Sequence, residues 1–244
     1  MKFKSIASLI AITAATLSFV APAQAETNFV PEQEGEIDVG LGVLDSSQSL
    51  ALSLFPFIES IESLDDSFTG QKSRLFVDTL STKSEYGDDV ILNKKDAGTN
   101  HSSYWFRPSD TRLKNGELVE DGQLEVGTFK FTFTQTLKEL NIDFFDIDYV
   151  YAQNPEQSTS IIGLNGSEVF DLMPKTGNNG VFSKTLYDVD SVTLKLGGFH
   201  PRWEGDGVNF RMSATTVPEP ATLGGLAVVG LAFAGQKLRK GRKA

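Results

Sequence analysis

Thr128-Phe129-Lys130-Phe131-Thr132-Phe133-Thr134 is the stretch from which the fold can be read. Successive side chains of a strand point to opposite faces, so its three rings share one face while the threonines and the lysine share the other. The result is a half-buried strand. Leu140, Ile142 and Phe144 extend the alternation into a second strand. Phe145, Ile147 and Tyr149 then change parity, which a bulge or a change of sheet near Phe144 would produce. Residues 37–43, 74–80, 103–107, 181–186, 191–196 and 207–212 also have strand character, and turns such as Asn115-Gly116, Asp121-Gly122, Asn165-Gly166 and Gly197-Gly198 separate several of them. Many short strands with glycine-rich turns predict an all-β fold, an antiparallel β-sandwich of jelly-roll-like type. In residues 49–63, Leu50, Leu54, Phe57, Ile58 and Ile61 fall near helical spacing, but Pro56 interrupts them, so a strand or loop is expected there.

The two ends read differently from the middle. Lys2 and Lys4 precede an apolar run over residues 6–20, and Ala23-Gln24-Ala25 forms an A-x-A cleavage site before Glu26. Residues 1–25 are therefore expected to be a signal peptide and the chain to be exported. At the other end stand Val217-Pro218-Glu219-Pro220, an uncharged apolar run over 221–235, and the basic residues Lys237, Arg239, Lys240, Arg242 and Lys243. As a helix the run would rise roughly 22 Å against a hydrocarbon core of roughly 30 Å. It becomes a credible inner-membrane span because Lys237 and Arg239 can snorkel and the basic end favours the anionic cytoplasmic leaflet. Pro218 and Pro220 keep Glu219 in an extended, exposed segment that a membrane-embedded processing enzyme can reach. A plain anchor helix that is never cut is the competing reading. Between the two ends, residues 26–216 form the expected β domain.

This tripartite tail resembles the PEP-CTERM sorting signal, with Val217 to Pro220 matching the motif itself. The resemblance implies an exosortase-type membrane protease as partner, passage through the inner membrane, and delivery to the cell surface or the exopolysaccharide matrix. It covers about a ninth of the chain and implies an address without an activity. Leu124-Glu125-Val126-Gly127, just before the phenylalanine strand, resembles the signature of the LEVG family of PEP-CTERM proteins. As physics, Gly127 permits a bulge or a close backbone approach there.

Composition narrows the function of the middle. Without the leader and the tail, fifteen basic residues face thirty-one acidic ones, a balance of −16 that a nucleic-acid backbone would repel. The chain has no cysteine, which excludes thiol nucleophiles and thiolate metal sites, and His101 and His200 are its two histidines. Ser102 and Ser103 beside His101 would point to opposite faces of a strand, and no G-x-S-x-G elbow is present, so no catalytic residue and no enzymatic activity are expected. A carboxylate pair such as Glu125 with Asp146 meets the formal need of a glycosidase, but pairs are abundant among 32 acidic residues.

Asp143, Asp146 and Asp148, with Asp206 between two glycines, are candidate Ca2+ ligands, although the EF-hand spacing is absent and a solvent-facing row of carboxylates is the plainer reading. Otherwise no cofactor is expected. Trp105 and Trp203 are candidates for stacking on a pyranose ring; core filling competes with that role, more strongly for Trp105. The reading as a whole is an exported envelope or matrix protein with a structural or adhesive role. A lectin-like carbohydrate-binding module is the alternative, and a secreted hydrolase a third.

Overall fold

The phenylalanine alternation lies within a single strand, β10 (Gly127–Phe145), the element on which the rest of the sheet is hung. The computed structural model describes residues 26–65, 70–79, 82–87, 90–92, 103–110, 118–120, 126–147, 150, 155–177, 180–200 and 203–215. Its other strands are β1 (Glu26–Asn28), β2 (Gly35–Ile37), β3 (Ser49–Leu50), β4 (Ile58–Leu64), β5 (Ser73–Asp78), β6 (Ser84–Tyr86), β7 (Val90–Leu92), β8 (Trp105–Asp110), β9 (Leu118–Glu120), β11 (Ser160–Leu164), β12 (Ser167–Leu172), β13 (Val181–Leu196), β14 (Gly198–His200), β15 (Trp203–Asp206) and β16 (Asn209–Thr215). Among the described residues there is no α-helix, and the fold is all-β as expected.

The large sheet runs β12-β11-β13-β10-β16-β8-β5-β2-β3, with β4 added to β10 and β1 to β16. β14 pairs with β15, and β6, β7 and β9 form a small sheet of their own. Pairing is not wholly antiparallel, as the sequence had suggested: β2 with β3 and β7 with β9 are parallel. Residues 181–186 and 191–196, expected as two strands, are the two halves of β13. Residues 37–43 leave the sheet after Ile37, because Gly40 and Gly42 take positive φ and turn the chain. In the 49–63 segment Pro56 separates a short 3-10 turn at Leu52–Leu54 from β4.

β10 keeps one partner along its whole length and changes the other. Antiparallel β13 accompanies it from Gly127 to Phe145, whereas β4 pairs with Thr128 to Phe133 and β16 with Glu139 to Phe145. At the exchange, Phe133 to Thr136 stand opposite the single Asp190. Phe129, Phe131, Phe133 and, past the irregularity, Leu137 face the core at odd positions, and Leu140, Ile142 and Phe144 do so at even ones, so the buried parity changes between Leu137 and Leu140. The break expected near Phe144 lies earlier, as a register shift between Thr132 and Leu137 and a parity change between Leu137 and Leu140. Phe145 continues the ladder on the opposite face, and the chain turns only at Asp146, whose φ is +66°.

One core is built from both halves of β10. Phe131 contacts Phe106 of β8 and Phe210 of β16 at centroid distances of 5.9 and 5.8 Å, the latter edge to face, and Phe133 meets Phe29 at 5.9 Å. The backbone approach expected at Gly127 is present: a Cβ there would lie 2.6 Å from the Phe129 ring and 2.7 Å from Ser73 Cβ. Among the described residues no helix is long and apolar enough to cross a membrane. The segment 221–235, the leader with Ala23 and Ala25, the Val217–Pro220 motif and the terminal basic residues lie outside the described residues.

Phe131 is fully buried, so Phe131→Ala is expected to cost about 3–5 kcal/mol, measured by urea unfolding. A loss below about 1 kcal/mol would contradict the shared core.

Candidate functional site

Alternation on the central strands creates a second, polar face. On β5, Leu75 and Val77 enter the main core while Phe76 and Asp78 point away; on β8, Phe106 enters it while Trp105 and Arg107 point away. Cross-strand pairs then match charge across this outer face. Glu36 Oε1 accepts from Arg74 Nη1 at 2.5 Å, and its other oxygen accepts from the Leu44 N–H at 2.6 Å. Asp78 Oδ2 accepts from Arg107 Nη1 at 2.7 Å. Nearer the far end, Asp143 accepts from Ser183 Oγ at 2.6 Å and from Arg211 Nη2 at 2.7 Å, while the Arg211 guanidinium lies 5.6 Å from the centre of the Phe145 ring.

Part of this face is covered. Tyr86 of β6 packs on Phe76 with ring centroids 4.5 Å apart and the rings tilted, and with Val90 and Leu92 they form a second small core. Asp78 and Arg107 are consequently buried. Burial pushes the Asp78 carboxyl above its ordinary 3.8, an effect that the adjacent Arg107 opposes without cancelling. Burial also raises the Tyr86 phenol, with the Asp78 charge adding to it. A buried ion pair of this kind ties β5 to β8 beneath the cover sheet rather than offering a reactive group.

The residues singled out in the sequence fall into different settings. Trp105 is 1% exposed and packs on Phe145, so the stacking role suggested for it is replaced by core filling. Trp203 opens β15 opposite His200, and Asp206 closes it opposite Gly198. Asp143 is committed to Arg211 and Ser183, and Asp146 turns the chain, its N–H donating to Gly180 O at 2.9 Å. Asp148 lies outside the described residues, as do His101, Ser102 and Glu125. Among the described residues no three His, Asp or Glu side chains gather where they could hold a metal ion.

What single-strand reading missed is a half-open groove of about 450 Å3 on the outer face of β10, β13, β11 and β12. Two irregularities shape it. Ile162 and Gly163 of β11 stand opposite Thr193 alone, and Val169 and Phe170 of β12 both stand opposite Ile162. Two residues against one re-aims side chains and bends the strand, so Val169 and Phe170 both line the same groove. Gly163 is required at the floor: a Cβ there would come within 2.7 Å of Thr193 Oγ1 and 3.0 Å of Thr193 Cβ. Phe170 is 54% exposed, the kind of outlying apolar side chain that marks a contact surface. The sequence carried one signal of it, Gly163 within an otherwise apolar strand.

Comparison with family models, with curated proteins and with solved structures finds no match to this chain.

The ion pair gives a pH test. Because the folded state holds the Asp78 proton to higher pH than the unfolded chain, the folded state binds more protons above about pH 3.8, and this group's contribution to stability falls as pH rises through that window. Arg107 stays charged throughout, so the slope belongs to the carboxyl. In urea unfolding between about pH 3.5 and 7, the stability of wild type relative to Asp78→Asn is expected to decline with rising pH. A relative stability that increases with pH would refute the assignment.

Proposed function

We propose that the chain is an exported envelope or matrix protein with a structural or adhesive role, sorted through its tail by an exosortase-type membrane protease. The observation that carries this reading is the pairing of an A-x-A leader ending at Ala25 with the Val217–Pro220 motif, apolar run and basic end. A route follows from it. The leader directs export, the 221–235 segment halts in the inner membrane with Lys237 to Lys243 inside, and cleavage near Val217–Pro220 releases residues 26–216 toward the cell surface or extracellular matrix.

The ends of the β domain suit that route. Glu26 and Thr215 are direct Cα partners in the β1–β16 pairing, and Ser213 Oγ donates to Glu26 at 2.5 Å. Both expected cleavage points therefore adjoin one strand pair, and cutting at either leaves its ladder intact. We also infer that the large sheet folds over as a two-layered sandwich. The Phe131 contacts with Phe106 and Phe210 support this, as does the 2.5 Å ion pair between Asp171 of β12 and Lys184 in the opposite half of β13. The acidic balance keeps such a domain soluble and away from nucleic acid. The reading has no catalytic step and no cofactor.

The test is the intact mass of the protein recovered from the envelope and medium of its own host, with and without the sorting protease. The expected mass ends near Val217–Pro220 only when the protease is present. Retention of residues 221–244 in both strains would leave a simple anchored protein and refute the sorting.

A further inference from the structure

The groove is where the charge pattern of the chain breaks. In a protein of net charge −10, cations find carboxylates easily, and Arg74, Lys83, Arg107, Lys138, Lys184 and Arg211 are all ion-paired. Among the described residues Lys130, on the groove, is the one Lys or Arg side chain with no partner, although Glu62 is its cross-strand neighbour on β4. The Ser191 and Thr193 hydroxyls beside it likewise have no hydrogen-bond partner among the described residues. Unengaged donors on a sheet face, opposite a wall of Val169 and exposed Phe170, describe an amphipathic ligand carrying a negative charge.

The backbone decides between a peptide and a sugar. β10, β13 and β11 each have neighbours on both sides, so their N–H and C=O groups are used in the ladders. A peptide main chain would find no strand edge along the groove floor. A sugar ring needs none: its hydroxyls pair with side-chain hydroxyls and carboxylates, and its C–H face rests on an aromatic ring. Glu168, also on the groove, accepts from such hydroxyls and repels ligands of high negative charge density.

We propose that this groove binds a uronate-bearing polysaccharide, with Lys130 on the carboxylate, Ser191 and Thr193 on the hydroxyls, and Phe170 beneath a ring face. The matrix reading says where such a ligand is met, and the groove chemistry stands apart from it. Gly163 belongs to the site because a side chain there would push Thr193 from its place.

The test is calorimetric titration of the full chain in mild detergent with three probes: a galacturonate hexamer, the same hexamer as its methyl ester, and hexaglutamate. The galacturonate hexamer is expected to bind best. Lys130→Gln should weaken it about tenfold and leave the weaker binding of the ester unchanged, since a charge-assisted hydrogen bond is what is lost. Phe170→Ala should weaken both. Each position is on the surface, and unchanged thermal unfolding confirms that each variant folds. Absence of galacturonate binding, equal affinity for the ester with no effect of Lys130→Gln, or equal affinity for hexaglutamate would each overturn the proposal. A chain sorted as proposed that binds none of the probes rejects the groove alone, and one that binds but keeps its tail rejects the sorting alone.

Discussion

Every part of the large sheet depends on the ladder of β10. A central strand must pair its backbone on both sides, because an unpaired buried N–H or C=O costs about 1–3 kcal/mol. β10 meets this requirement with three partners: β13 throughout, β4 along its first half and β16 along its second. The exchange is made possible by the irregularity opposite Asp190, where the Thr134 N–H is taken up by the Phe57 carbonyl at 2.9 Å. The buried parity changes a little further on, between Leu137 and Leu140, so the rings before the irregularity and Leu140, Ile142 and Phe144 after it face one core.

The outer faces follow from the same geometry. Alternation that fills the core with phenylalanine places charge on the reverse side, and the sheet answers with cross-strand ion pairs. Where the small sheet of β6, β7 and β9 lies over it, as at Asp78 and Arg107, the pair is buried and ties β5 to β8. Toward β11 and β12 no such cover is described, the strands bulge, and Lys130, Ser191, Thr193 and Phe170 line a groove. One part of the outer surface of the sheet is thus committed to structure and another offers donors.

Much of the fold was legible in the sequence because period two is a local signal. Phe129, Phe131 and Phe133 declare their strand without help from any other part of the chain. The partner exchange was not legible, since Thr134, Gln135 and Thr136 form an ordinary polar stretch whose role depends on Asp190, more than fifty residues away. For the same reason Val181 to Leu196 read as two strands: one long strand that crosses a joint looks like two. Asp143 stood as a candidate cation ligand because its arginine lies on β16, and Trp105 as a stacking candidate, second to core filling, because its cover comes from Phe145. The groove was invisible because bulges are defined by a neighbour's register. The leader and tail readings rest on a signal of another kind, linear motifs that need no partner segment to be proposed.

The central claim is that the joint in β10 unites both halves of the sheet around one core. Native-state amide hydrogen exchange across β10 tests it most directly. Amides from Gly127 to Thr132 and from Glu139 to Phe145 are predicted to open together, with the same and highest opening free energy, while Phe133 to Thr136 exchange sooner. Separate opening of the two halves, one well below the other in free energy, would mean two independently held sheets and would contradict the account.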